Sequence, residues 1–169
     1  MMTKKLQKKL RTLEDITRIV STHKQQGDII VSLNGSFDIL HAGHTYLIEE
    51  AKSQGDILII GLNSDASYMN YKDRRGPILD EMNRAALLAS LEDVDYIIMF
   101  DEPEPLEFIK AVQPDIHCNG QEYGQDCIER KLLDDIGARL YLINERKQDM
   151  DNKISTSLII RKIAERYSK

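Results

Sequence analysis

His41 and His44 stand three residues apart and close the run Asn34-Gly35-Ser36-Phe37-Asp38-Ile39-Leu40-His41-Ala42-Gly43-His44. Two imidazoles at that spacing fall on one face of a first helical turn. Each can donate a hydrogen bond, neutral or charged. The amide groups that open a helix have no partner within it and carry partial positive charge. Imidazoles and helix amides together suit an anion such as phosphate. Gly35 and Gly43 allow the backbone to approach such a ligand closely.

The elements that must position this run are legible on either side of it. Ile29 to Leu33 is an apolar run that predicts a buried strand, and Thr45 to Gln54 predicts a helix that stops at Gly55. The order is strand, loop, helix. In an α/β sheet that junction lies at the carboxyl end of a strand, where ligands bind.

The rest of the chain repeats the alternation. Leu6 to Val20 carries apolar residues at helical spacing, and Thr12 followed by Asp15 marks a helix start. The basic run Lys4 to Arg11 reads as the solvated end of a packing helix. Further strands are predicted over Ile57–Leu62, Asp95–Phe100, Ile116–Cys118 and Arg139–Ile143. Helices are predicted over Asp80–Ser90, Pro105–Val112, Gln125–Ile136 and Ser155–Tyr167, and Asn63-Ser64-Asp65 offers capping oxygens for a short one. Tyr71 to Pro77 is polar with Gly-Pro punctuation and reads as a loop near the site. The fold class is α/β, a doubly wound parallel sheet of five strands. It forms a single domain, with residues 1–26 as an N-terminal helical segment packed on residues 27–169.

Composition narrows the functions. The chain has 169 residues, 41% hydrophobic and 30% charged, as in a soluble globular domain. A net charge of −5 argues against a nucleic-acid binder that relies on an overall positive field, so an anionic substrate needs local positive groups. No apolar run reaches the roughly 20 residues of a membrane helix. The N-terminus has no signal-peptide core, and the expected location is the cytoplasm. Cys118 and Cys127 match no zinc spacing and read as reduced thiols. No Gly-x-x-x-x-Gly-Lys-Ser/Thr loop or Gly-x-Gly-x-x-Gly run follows the first strand.

The run from Asn34 to His44 resembles the signature of the HxGH nucleotidyltransferases, which include the cytidylyltransferases. The resemblance extends from Gly35 to Ile163 and is closest to the adenylyltransferases of heptose 1-phosphate, which make ADP-heptose. Gly61 to Ser67 is similar to that family's second-strand exit, and Lys72 stands where the family has a loop lysine. Arg84 matches a helical arginine of many relatives, and Ile154-Ser155-Thr156-Ser157 matches an isoleucine-serine-threonine motif at the last helix. Two places depart from the pattern. Asn119 precedes Gly120 where the family has lysine, and the loop from Asp73 to Pro77 is reshuffled.

The resemblance implies a Rossmann-like fold and attack by a sugar-phosphate oxygen on the α-phosphate of a nucleoside triphosphate. It implies catalytic roles for His41, His44 and Lys72. Nucleotide contacts are expected from Gly35, Ser36, Phe37, Asp38, Gly43, Asn63, Asp65, Gly120, Ser155, Thr156 and Ser157. Asp38 has a second reading, in which it orients the loop. Substrate contacts are expected from Arg75, Arg84, Asn119 and Glu122. No protein metal site is expected, since Mg²⁺ would be bound mainly through the phosphates. By analogy with relatives the chain is a homodimer or a higher homo-oligomer. ATP and heptose 1-phosphate are the favoured substrates. A glycerol-phosphate cytidylyltransferase and a nucleotide-binding module with weak turnover are the alternatives.

Overall fold

The computed structural model describes residues 2–71, 75–144 and 154–167. Helix α1 (Lys4–Lys9) leads into a two-residue strand, β1 (Leu10–Arg11), and then α2 (Leu13–Gln26). Next come β2 (Ile30–Gly35), α3 (Ala42–Lys52), β3 (Ile57–Asn63), α4 (Asp65–Tyr71) and α5 (Glu81–Ser90). The chain continues through β4 (Tyr96–Phe100), α6 (Leu106–Val112), β5 (Ile116–Gly120), α7 (Arg130–Ile136), β6 (Arg139–Ile143) and α8 (Thr156–Tyr167).

The sheet is parallel and has six strands, in the order β1-β4-β3-β2-β5-β6. The sequence predicts five. The extra one is β1, which pairs Leu10 with Ile97 and Arg11 with Ile98 at the sheet edge. It divides the helix expected from Leu6 to Val20. Thr12 causes the break: its hydroxyl accepts from the Asp15 amide at 3.1 Å and starts α2 afresh. The N-terminal segment thus supplies a strand as well as helices. The helix expected over Gln125–Ile136 is also shorter, because Gln121–Tyr123 forms a 3₁₀ turn and α7 begins only at Arg130.

Both faces of the sheet are covered, so its strands alternate between two cores rather than between core and water. Val31, Leu33, Leu58, Ile60 and Ile97 face one core with Leu6, Ile48, Ala51 and Leu88 from the helices. Ile30, Ile59 and Ile98 face the other with Ile16, Val20, Phe108, Val112 and Leu133. The basic run at the N-terminus has a use here. Lys5 and Lys9 donate to the Ser90 and Leu91 carbonyls, where α5 ends and negative partial charge gathers.

From β2 the chain builds outward to β3 and β4, and later returns to lay β5 and β6 on the opposite side. The order therefore reverses between β2 and β5. At such a switch point the loops diverge and leave a crevice at the carboxyl ends of the strands. The loop after Gly35 and the turn after Gly120 both open onto that crevice.

Candidate active site

The loop between β2 and α3 is strained and firmly held. Phe37 and Ile39 adopt left-handed backbone, with φ of 47° and 48°. For a β-branched residue such as Ile39 this costs about 1–3 kcal/mol, and it persists only where the surroundings over-determine it. They do so here on three sides. The Asp38 carboxylate accepts from the amides of Ile78 and Leu79 at 2.9 and 3.0 Å. The Asp38 carbonyl accepts from Thr156 Oγ1 at 2.7 Å. The Ser36 carbonyl accepts from Arg84 Nη1 at 2.7 Å. With both carboxylate oxygens engaged and the residue 2% exposed, Asp38 takes the loop-orienting role.

This loop delivers the two histidines to the start of α3. His41 is the residue before the helix, in extended conformation, and its carbonyl accepts from the amides of His44 and Thr45. The first amides of the helix, at Ala42 and Gly43, have no acceptor within it. The His41 and His44 rings stack, with centroids 3.8 Å apart and planes 17° apart. Phe37 meets His44 edge-on at 5.4 Å, so its left-handed backbone turns an aromatic wall against the pair. Burial lowers the His41 pKa from its ordinary value, which favours a neutral ring that can still donate one N–H. His41 Nδ1 is buried and has no hydrogen-bond partner among the described residues.

The second wall is the start of α8. The Ser155 hydroxyl accepts from the Leu158 amide at 3.2 Å and caps that helix. Thr156 holds it to Asp38, and Ser157 is exposed. Gly43 admits the approach: a Cβ there would lie 3.1 Å from the His41 ring and 3.4 Å from the Ile154 carbonyl. Two helix N-termini, far apart in sequence, thus meet beside the imidazoles. Their combined partial positive charge is the electrostatic complement of a polyphosphate.

The third group braces the site from behind. Arg84, expected at the substrate, is 0% exposed. It donates to the carbonyls of Leu79, Ser36 and Asn63 at 3.0, 2.7 and 2.8 Å and pairs with Asp65 at 2.7 Å. Its donors are spent on joining the histidine loop to the exit of β3. Asn63, expected at the nucleotide, is buried and donates to Ser67 Oγ at 2.9 Å. Asp65 is half-buried, and its amide donates to Glu81. Both belong to the brace.

At the carboxyl end of β5, Asn119 is buried and donates to Glu129 at 3.4 Å, while Glu122 is exposed in the turn beyond Gly120. Arg75 is exposed on the loop before α5, and Lys72 lies outside the described residues. Sequence reasoning gave His117 and Glu129 no role, yet both are buried here. Nothing in the spacing marks either one: His117 lies in an ordinary strand, and Glu129 in a run of charged residues that reads as a solvated helix start. Cys118 is inert, its thiol pushed by burial up to about 12.

The chain is similar to known proteins over most of its length. Residues 32–162 match the family described as Cytidylyltransferase-like. The chain is 38% identical over 161 residues to "Bifunctional protein HldE" of Pelobacter propionicus, covering 95% of this chain and 32% of that protein. It is 39% identical over 161 residues to the HldE of Trichlorobacter lovleyi, with the same coverage. The chain therefore spans about a third of the length of the curated relatives it matches. Among solved structures, the lipopolysaccharide core biosynthesis protein of Thermoplasma volcanium superposes with a TM-score of 0.58 at 34% identity, covering 72% of this chain and 98% of that one. Pantoate-beta-alanine ligase of Francisella tularensis gives a TM-score of 0.65 at 20% identity, covering 93% and 78%, and shares the fold. The chain belongs to the cytidylyltransferase-like family of nucleotidyltransferases.

Proposed function

We propose that the chain transfers a nucleoside monophosphate from ATP to heptose 1-phosphate, forming ADP-heptose and releasing pyrophosphate. A phosphate oxygen of the acceptor attacks the α-phosphorus. The bond from that phosphorus to the oxygen bridging toward the β-phosphate breaks, and pyrophosphate leaves with the electron pair. The acceptor is already an anion, so little base catalysis is required. The barrier is the meeting of two negative reactants and the charge that gathers on the transferring group. Fixed donors and positioning answer both.

One observation carries this reading: the stacked imidazoles of His41 and His44 stand where the N-termini of α3 and α8 converge. His44 and His41 donate to the α-phosphate and to the leaving bridge. The amides after Gly35 and at the start of α3 hold the phosphate tail. Lys72 neutralises a phosphate oxygen as a point charge. Among the described residues no three His, Cys, Asp or Glu side chains cluster to hold a metal. Mg²⁺ bound through the phosphates of the nucleotide would supply charge neutralisation there. The likeness to HldE proteins and to a lipopolysaccharide core biosynthesis protein supports the sugar acceptor. Among the described residues no helix is long and apolar enough to cross a membrane. A homodimer or higher homo-oligomer in the cytoplasm, acting on nucleotide and sugar phosphate, completes the reading.

Pyrophosphate release tests it. Purified chain with Mg²⁺ is given ATP or CTP, each with heptose 1-phosphate or glycerol 3-phosphate. ATP with heptose 1-phosphate is expected to be the fastest pair. Faster release from CTP with glycerol 3-phosphate would reassign the substrates. Tight nucleotide binding without pyrophosphate from any pair would make the chain a binding module.

A further inference from the structure

Helix α8 closes one side of the candidate site, yet none of its residues is buried. Thr156, Ile160, Ile163 and Tyr167 fall at i, i+4, i+7 and i+11, in one line along the helix. The line begins on the domain, where Thr156 bonds the Asp38 carbonyl. It then runs off the domain: Ile160 is 40% exposed, Ile163 51% and Tyr167 72%. A stripe of this kind on a surface helix faces a core in a finished structure. The other sides of α8 carry Arg161, Lys162 and Arg166 against Glu165, so the stripe has basic flanks in a chain whose net charge is −5.

A second apolar surface lies on the other side of Asp38, whose carboxylate holds the amides of Ile78 and Leu79. Ile78 is 64% exposed, and Met69 of α4 and Met82 of α5 are exposed with it. Gly76 brings these segments together, since a Cβ there would lie 3.7 Å from Met69 Cγ. The surroundings are mainly acidic. Asp80 is exposed. The Glu102 carbonyl accepts from Ser67 Oγ at 2.6 Å, which lays the exposed loop of Asp101, Glu102 and Glu104 against α4. Arg75 is a cation on that face, against these four acids.

The two surfaces match, an apolar stripe with basic flanks and an apolar patch with acidic surroundings. Within one chain they do not meet, since both stay exposed. A copy related by a two-fold axis offers the same two surfaces, so each helix can meet the other's patch and the contact is made twice. We propose that a second copy of this chain covers α8: the stripe of Ile160, Ile163 and Tyr167 on each protomer docks on the patch of Met69, Ile78 and Met82 on the other. Apolar burial holds the pair, and the opposite charges set which surfaces face each other. An anionic lipid surface suits the helix alone, but a chain of net charge −5 is repelled by it over the rest of its face. The transferase reading expects an oligomer, and which surfaces form it does not depend on the substrates.

Mass in solution, measured on the full chain by sedimentation equilibrium, tests the interface apart from any turnover. The wild type is expected to be a dimer. Ile163→Glu puts a carboxylate into the stripe, and Met69→Lys puts an ammonium into the patch. Each should raise the dimer Kd about 100-fold or more, as for a charge forced into a docked apolar contact. Both side chains are exposed in the single chain, so both variants should fold, and circular dichroism checks that they do. A mixture of the two decides the pairing. Ile163→Glu keeps a sound patch and Met69→Lys a sound helix, so the mixed pair regains one intact contact and sets the new acid against the new base. Its Kd should lie at least about tenfold below that of either variant alone. Contact of helix with helix, or of patch with patch, would leave one variant unaffected and give no such recovery. A monomeric wild type, a dimer that either substitution fails to weaken, or a mixture no tighter than its parts overturns the proposal. A monomer that binds phosphatidylglycerol vesicles, and loses them in Ile163→Glu, overturns it in favour of a lipid surface.

Discussion

Thr156 Oγ1 donates to the carbonyl oxygen of Asp38 at 2.7 Å, across 118 residues of sequence. That bond sets the last helix onto the histidine loop and makes one site of two distant segments. The carboxylate of the same aspartate holds Ile78 and Leu79 from the other side. The left-handed turn at Ile39 is thereby clamped between α8 and the approach to α5.

Thr156→Val removes the donor and keeps the shape. Stability should fall by about 1 kcal/mol, as for one hydrogen bond. Because α8 is then released from the loop, kcat/KM for nucleotide should fall about tenfold or more. Thr156→Ser should restore both. Chemical unfolding and steady-state kinetics of the two variants check this, and wild-type kinetics in Thr156→Val would count against it.

Arg84 tests the brace. Arg84→Met strands two buried carbonyls and a half-buried one, and leaves Asp65 without its cation. A loss of about 3–5 kcal/mol is expected, as for one partner taken from a buried charged network. Arg84→Lys should recover little, because a single ammonium cannot reproduce the planar fork. The urea midpoint reads the result. A direct substrate role would instead leave the midpoint in place and raise KM.

Gly43→Ala adds a methyl group 3.1 Å from the His41 ring. Alanine favours the helix, which offsets part of the crowding, so the melting temperature should move little. The ring, and with it the stacked pair, must shift by a fraction of an ångström. Turnover should fall about tenfold or more for that displacement. Unchanged turnover would show that the imidazole position is not critical.

His117 predicts a pH dependence of stability. Burial lowers its pKa to about 4, against an ordinary value of 6.5. Above pH 6.5 the ring is neutral in folded and unfolded chain alike and contributes nothing. Between 6.5 and 4 the unfolded chain binds a proton that the folded chain refuses, so stability falls with falling pH. Below 4 both states are protonated and the loss levels off. The whole step is on the order of 3 kcal/mol. Urea unfolding across that window should show it, and His117→Asn should lack this part of the slope.

Much of this is legible in the sequence. Thr12 with Asp15 announces the start of α2, and the apolar runs announce five of the six strands. The sixth, Leu10–Arg11, is too short and too evenly half-buried to show a two-residue period, and Leu10 also fits helical spacing. The histidines could be read because their chemistry and their place after a strand point the same way. Arg84 could not. A helical arginine resembles a substrate contact until the carbonyls around it are seen, and those come from three separate segments, one of them the end of β3. Ile39 is similar, since no propensity predicts a left-handed isoleucine and only the clamps on Asp38 explain it. Asn119 was visible as a departure from lysine, but its reason, the buried Glu129, is a tertiary contact.

The central claim is that the imidazole pair stabilises the charge that builds as two anions join. Single-turnover formation of product by His44→Ala, with saturating ATP and heptose 1-phosphate, tests it most directly. The rate should fall by about 10²-fold or more, as for loss of one preorganised donor, while KM for ATP changes far less. A rate within about threefold of wild type would show that the transition state does without this ring.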